Sequence, residues 1–245
     1  MSDLLFQTDS YMQEFGARVV AVNPDATAVS LDRTAFFPGG GGQPNDVGWL
    51  TAGDMALAVT RVKREGEDVW HIVSPQQEGM LEWRLPQVGA SVTGRLDWAR
   101  RYQLMRTHTA LHVLCGVVYR DYGALVTGGN MEPLRARMDF EFETLRQELV
   151  KEIEDKVNAE VAADREVRVK ILPRAEAFEI PDLIRTKINL LPPDISQVRT
   201  VEIVGLDLQA DGGTHVANTR EVGRLHVVDY KSKGRINKRI EIEIV

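Results

Sequence analysis

The sequence predicts an α+β protein: a small N-terminal β-barrel, then a two-layer α/β core with an antiparallel sheet. Three observations carry this prediction. Residues 1–93 hold several short β-rich runs with no helical pattern between them. Near Gly94 the pattern changes abruptly to helical periodicity. The chain then returns to β runs and ends on two strands around a basic turn.

In chain order, "ARVVAV" (17–22), "TAVSLD" (27–32), "MALAVTRVKREG" (55–66) and "DVWHIV" (68–73) read as strands. Asn/Pro, Gly-rich and Gly/Glu turn segments separate them. Strands this close in sequence suggest a small barrel or a sandwich. From Trp98 to Tyr122, Leu104, Leu111, Leu114, Val118 and Tyr122 fall on one broad helical stripe. The glycines of "DYGALVTGGN" (121–130) end that helix. A second helix spans "ETLRQELVKEIEDKVNAEVAADRE" (143–166), with early acids, a 3-to-4 residue apolar period and many strong helix formers. "EVRVKILP" (166–173) is a strand stopped by Pro173. "VRTVEIVGLDLQ" (198–209) is again β, and "GRLHVVDYKSKGRINKRIEIEIV" (223–245) makes two strands around a Lys-Ser-Lys-Gly turn. Two domains follow, 1–93 and 94–245, joined near residues 90–97.

With 245 residues, 43% hydrophobic and 27% charged, the chain can bury a sizeable core. The opening "MSDLLFQTDSYMQEF" does not resemble a secretion signal. No apolar run approaches the roughly 20 residues that a membrane span needs. One cysteine, Cys115, excludes an internal disulfide, and a soluble cytoplasmic protein is expected. A net charge of −6 does not suggest a protein that coats nucleic acid. Yet "RLDWARRYQLMR" (95–106) and "YKSKGRINKR" (230–239) are locally basic. Such a strip suits a protein that grips one part of a polyanion, and two solvated charged faces fit the same residues.

The segment "RTHTALHVLC" (106–115) places His108 and His112 four apart. On a helix they share a face, with Cβ atoms about 5–6 Å apart. Two imidazoles so placed can hold a transition metal, and two core-packed histidines have the same spacing. Cys115 is on the same face but roughly 10 Å along the axis from His108. It reads as a buried, inert cysteine rather than a shared ligand. Farther on, "LQADGGTHVANTREVG" (208–223) sets Asp211 and His215 around two glycines and a threonine. Glycines there let backbone approach a ligand and free its N–H groups. A polar turn with an incidental histidine is the plainer alternative. "PGGGGQP" (38–44) lacks the Gly-Lys-Ser/Thr ending of a phosphate loop. It reads as a flexible flap on which Gln43 presents an amide, or as a plain linker.

Taken together, "RTHTALHVL" followed by "GGTHVANTREVG" resembles the editing domain of alanyl-tRNA synthetase and the free-standing AlaX proteins. The upstream "AFFPGGGGQPNDVG" (35–48) is similar to the Gly-Gly-Gly-Gln segment of the longer AlaX forms. The resemblance covers most of the chain in the expected order. No aminoacylation module fits within this length, so it points to the free-standing form. It implies four zinc (Zn2+) ligands in the pattern H-x-x-x-H … C-x-x-x-H. These carry over to His108, His112 and His215, while Asp211 stands where the family usually has cysteine. Aspartate oxygen ligates zinc at about 2.0–2.2 Å, against roughly 2.3 Å for a thiolate. The resulting shell is harder and less zinc-selective, and another divalent ion stays open. Thr127, in "LVTGGN" (125–130), stands where the family often carries a glutamine near the substrate.

The resemblance implies a trans-editing hydrolase that deacylates tRNA(Ala) charged with the wrong amino acid, serine or glycine. A metal can polarise the ester or activate water. It can instead orient the substrate amino group, a role that a closed four-ligand shell favours. The implied catalytic set is His108, His112, Thr109, Gly212 and Gly213, with the two glycine N–H groups facing a developing oxyanion. Thr214, Gln43, Gly41, Gly42 and Thr127 form the implied substrate side. Thr109 and Thr214 have plainer roles as a helix hydrogen bond and a turn cap. Lys231, Lys233, Arg235, Lys238 and Arg239 are candidates for the RNA backbone. A non-catalytic tRNA-binding module and a metal-dependent hydrolase of a small ester or amide are the competing readings.

Overall fold

A computed structural model describes residues 2–75, 83–186, 191 and 195–245. Its strands come early and close together: β1 (Asp3–Leu4), β2 (Glu14–Asn23), β3 (Ala28–Leu31), β4 (Arg33–Thr34), β5 (Gly48–Ala52), β6 (Met55–Glu65), β7 (Asp68–Pro75) and β8 (Ser91–Leu96). Along β2, Phe15, Ala17 and Val19 are buried while Glu14, Gly16, Arg18 and Val20 are exposed. That two-residue period is the mark of a strand with one face on a core. The strands close into a barrel in the order β2-β3-β7-β6-β5-β8, all pairs antiparallel. Its interior is filled by Phe15, Val19, Leu31, Phe36, Leu50, Val59, Val69 and Leu96, among others.

The predicted barrel is therefore present, closed rather than a sandwich, and it holds two strands that local pattern hides. "GWLTA" is short and follows the glycine run, and "SVTGRL" carries a glycine in the stretch that reads as a junction. Pairing of β5 with β6, and of β8 with β2 and β5, gives these segments partners that local propensity does not supply.

Helix α1 (Trp98–Tyr122) has the predicted ends, and Gly123 follows it at φ +64°. Its predicted amphipathic stripe is not what the structure shows: every residue from Thr107 to Val118 is buried. A helix enclosed on all sides needs no polar face; hydrogen bonds satisfy its buried Thr107, His108 and Thr109 side chains, while His112 Nδ1 has no hydrogen-bond partner among the described residues. The remaining elements are β9 (Val126–Glu132), β10 (Arg135–Glu141), α2 (Gln147–Ala162), β11 (Val167–Pro173), α3 (Arg174–Ala177), β12 (Gln197–Ile203), β13 (Asp207–Ala210), β14 (Leu225–Ser232) and β15 (Asn237–Ile244).

They form a four-stranded antiparallel sheet, β14-β15-β10-β9, and a three-stranded one, β11-β12-β13. Gly123 thus ends the helix whereas Gly128 and Gly129 lie in β9, and α2 is shorter than the 143–166 pattern. Val150, Ile153, Val157 and Val161 are its buried face. Asn158 of α2 exchanges two hydrogen bonds with the backbone of Leu225, and Glu154 accepts from the Val227 N–H, so α2 covers the β14 edge.

Two compact units divide the chain: Met1–Gly40 with Pro44–Tyr102, and Gly41–Gln43 with Gln103–Val245. Among the described residues no helix is long and apolar enough to cross a membrane.

Candidate metal centre

All four residues of the candidate ligand set lie in the second unit. His108 and His112 are one turn apart on α1, with ring centroids 5.1 Å apart. The segment after β13 brings His215 to 4.3 Å from the first ring and 4.7 Å from the second. Asp211 completes the group. Its Oδ2 is 3.1 Å from His215 Nε2, and its Oδ1 is 3.5 Å from His108 Nε2 and 3.9 Å from His112 Nε2. One ligand atom from each residue lies within 4.8 Å of all the others, so the four could hold a metal ion. Tetrahedral zinc with bonds of ~2.0–2.1 Å spaces its ligands by about 3.3–3.5 Å, which these atoms bracket before any side-chain adjustment.

Hydrogen bonds behind the rings decide which nitrogen faces the centre. His108 Nδ1 is 2.9 Å from Gln43 Oε1. An amide oxygen only accepts, so Nδ1 donates and the Nε2 lone pair is presented to Asp211. Gln43 is itself fixed: Oε1 accepts from the Thr214 N–H at 3.0 Å, and Nε2 donates to Thr214 Oγ1 at 2.9 Å. His215 Nδ1 lies 3.1 Å from Thr109 Oγ1, which also accepts from the Val216 N–H.

Electrostatics keep two of the three imidazoles neutral and Asp211 ionised, while the third imidazole is drawn toward its charged form. Burial pulls His215 down to about 4, against the opposing pull of Asp211. Burial likewise holds His108 well below the usual histidine range. His112 moves up instead: burial opposes the rise, and the Asp207 and Asp211 carboxylates outweigh it. Burial would raise Asp211, but the three histidines hold it well below the usual carboxylate range. Metal binding requires neutral imidazoles and an ionised carboxylate, the state that His108, His215 and Asp211 already favour.

Arg199 joins the site with no warning from the sequence. This buried guanidinium donates to the Asp211 carbonyl at 2.9 Å and stands 3.7 Å from its Oδ2. In "VRTVEI" it is simply one polar position in a strand, with no local signal of its role.

The two glycines differ. A Cβ on Gly213 would lie 2.5 Å from both Gln43 Oε1 and His108 Nδ1, so only glycine fits there. Its N–H donates to Asp211 Oδ2 at 2.6 Å and is therefore committed to that carboxylate. Gly212 is exposed, open space lies on its Cβ side, and among the described residues its N–H has no acceptor. Thr109 and Thr214 are fully buried and hold His215 and Gln43.

The glycine run is docked rather than a loose flap. Gly42, at φ +91°, accepts from the Met131 N–H of β9 at 3.2 Å, and Gly41 beside it is at φ +59°. Thr127 is exposed on β9, where its hydroxyl donates to Asn237 Oδ1, and no hydrogen bond of the described residues ties it to the four-residue cluster.

The basic hairpin divides in the same way. Lys231 pairs with Asp229 and Glu241, and Arg239 makes two bonds to Asp139. Lys238 is buried, with Nζ donating to the Gly234 and Arg235 carbonyls. Lys233 and Arg235 are exposed at the tip, and among the described residues neither forms an ion pair with a carboxylate. Cys115 is buried, and burial pushes its thiol far up.

Two family models match the chain. The threonyl and alanyl tRNA synthetase second additional domain covers residues 198–241, which include Asp211, His215 and the basic hairpin. The model for tRNA synthetases class II (A) covers residues 8–100. The chain is 40% identical over 243 residues to the alanyl-tRNA editing protein AlaX-M of Saccharolobus solfataricus, spanning 98% of both proteins. With the AlaX-M protein of Methanosarcina mazei the identity is 34% over 247 residues, all of this chain and 97% of the relative. The alanine–tRNA ligase of Ignicoccus hospitalis is 38% identical over 91% of this chain, which corresponds to 24% of the ligase.

Proposed function

The chain belongs to the AlaX-M family of alanyl-tRNA editing proteins, and on that premise we propose that it hydrolyses the ester of tRNA(Ala) carrying the wrong amino acid. The observation that carries the proposal is the cluster of buried His108, His112 and His215 with half-buried Asp211, and Gln43 bonded behind His108. These four residues would hold zinc, which supplies positive charge to bind and orient the substrate amino group or to polarise the ester. A carboxylate in place of a thiolate keeps the set compatible with zinc while admitting harder divalent ions.

The chain's own groups do the rest. The Gly212 N–H, open to solvent, donates to the ester carbonyl oxygen as it gains charge. Gly213 and Thr214 act on the ligand set rather than on the substrate: one bonds Asp211 and the other seats Gln43. Thr109 holds the His215 ring. Lys233 and Arg235, exposed on the hairpin, meet phosphates, whereas Lys231, Lys238 and Arg239 chiefly brace the fold.

Deacylation of Ser-tRNA(Ala), Gly-tRNA(Ala), Ala-tRNA(Ala) and a free seryl ester tests this reading. The expected result is turnover of the mischarged tRNAs, with Ala-tRNA(Ala) nearly intact and the free ester slow. Binding of tRNA without turnover would leave a non-catalytic tRNA-binding module. Equal turnover of the free ester would leave a hydrolase of small esters.

A further inference from the structure

Asp207, the first residue of β13, is a carboxylate whose side chain is closed to solvent. Its Oδ1 lies 3.4 Å from Arg185 Nε, and Arg185 is in turn seated over the Tyr119 ring, 3.8 Å from its centroid. Oδ2 accepts from Gln209 Nε2 at 2.6 Å and lies 3.4 Å from His112 Nδ1. A buried carboxylate is costly, and the arginine accounts for one oxygen only. The other oxygen, bonded to Gln209, also lies 3.4 Å from His112 Nδ1, a buried nitrogen with no hydrogen-bond partner among the described residues.

Helix α1 is shaped to admit this carboxylate. Gly116 is one turn beyond His112, and a Cβ there would fall 3.0 Å from both Asp207 Cβ and Leu206 Cγ. Glycine inside a helix costs about 1 kcal/mol relative to alanine, so its presence calls for a packing reason. The close approach of Leu206 and Asp207 is that reason. His108 and His215 are backed by Gln43 and Thr109, and Asp207 is the oxygen that stands behind the third ring.

We infer that Asp207 is a positioning residue: it holds the His112 imidazole with the proton on Nδ1 and Nε2 turned toward the cluster. The inference rests on the reading of His108, His112, Asp211 and His215 as a metal site. Partners of this kind fix the tautomer and the orientation of a liganding imidazole, and their loss typically weakens metal binding about 10–100-fold.

The test compares the full chain with Asp207→Asn, Asp207→Ala and, as a core control remote from these contacts, Val157→Ala. Zn2+ affinity is measured by chelator competition, Co2+ spectra report ligand geometry, and 15N shifts of the metal-free protein report the His112 tautomer. Asp207→Ala is expected to weaken Zn2+ binding about 10–100-fold. It should also alter the Co2+ spectrum and release the ring into mixed tautomers. Asp207→Asn keeps the volume and one acceptor oxygen, so it should fall between Asp207→Ala and the native chain. Val157→Ala should lose stability and leave all three readouts unchanged. Native affinity and native tautomer in every Asp207 variant that folds would overturn the inference. A native chain that binds neither ion would instead overturn the metal reading, and the tautomer of His112 would still report on Asp207.

Discussion

Gln43 and His108, 65 positions apart in the chain, meet in a 2.9 Å bond between Oε1 and Nδ1. The bond ties Gln43 to the first imidazole of the candidate metal site and settles that ring's tautomer. Replacing Gln43 by alanine removes the acceptor and two bonds to Thr214. Zinc affinity in Gln43→Ala should fall about 10–100-fold. Gln43→Glu, which keeps an acceptor oxygen facing Nδ1, should retain most of it. Chelator-competition titration reads the difference, and equal affinity in all three proteins would show that the bond is incidental.

Gly213 has no room for a methyl group. In Gly213→Ala the added carbon would press on His108 Nδ1 and Gln43 Oε1, which must separate. Metal stoichiometry should drop well below one per chain. Gly212→Ala, with open space at its Cβ, should keep full metal content. Metal analysis of the two variants checks this contrast.

Asp211 supplies oxygen where sulfur is the softer choice. Asp211→Cys should bind zinc more tightly than the native chain and discriminate more strongly against Mn2+. Competition of the two ions for each protein measures it. Unchanged selectivity would place Asp211 outside the ligand set.

The hairpin cations should separate by function. Neutralising Lys233 and Arg235 should lower the salt dependence of tRNA binding by roughly 0.7–0.9 in log–log slope for each phosphate that is no longer neutralised. Arg239→Gln should act on stability instead, because it strips Asp139 of two hydrogen bonds, at a cost of about 1–3 kcal/mol. Filter binding across salt concentrations and urea unfolding distinguish the two effects.

His71 gives the barrel its own pH dependence. Burial pulls its pKa from 6.5 to about 4, with the Val29 carbonyl opposing the shift. Between those values the unfolded chain binds more protons than the folded one, so stability falls as pH drops through that window and levels off below it. Between pH 7 and 4.5 the contribution is roughly 2–3 kcal/mol. His71→Phe should show a correspondingly smaller fall in unfolding free energy over that range.

The sequence alone determines the ends of α1, the β character of the N-terminal part, the metal candidates and the terminal hairpin, because each is written in local periodicity or short spacing. His108 and His112 share a face wherever a helix forms, and Asp211 and His215 stand out beside two glycines. Only the tertiary structure decides that β5, β8 and β9 are strands, since their glycines and shortness weaken propensity until a neighbouring strand pairs with them. It alone commits the Gly213 N–H to Asp211, and it pairs Lys231 and Arg239 with acids on neighbouring strands. The oxygens behind the imidazoles, on Gln43, Thr109 and Asp207, and the Arg199 guanidinium behind Asp211, come from separate elements. Hydrogen bonds and ion pairs act over about 3–4 Å in space whatever the separation along the chain, so no window of sequence contains them.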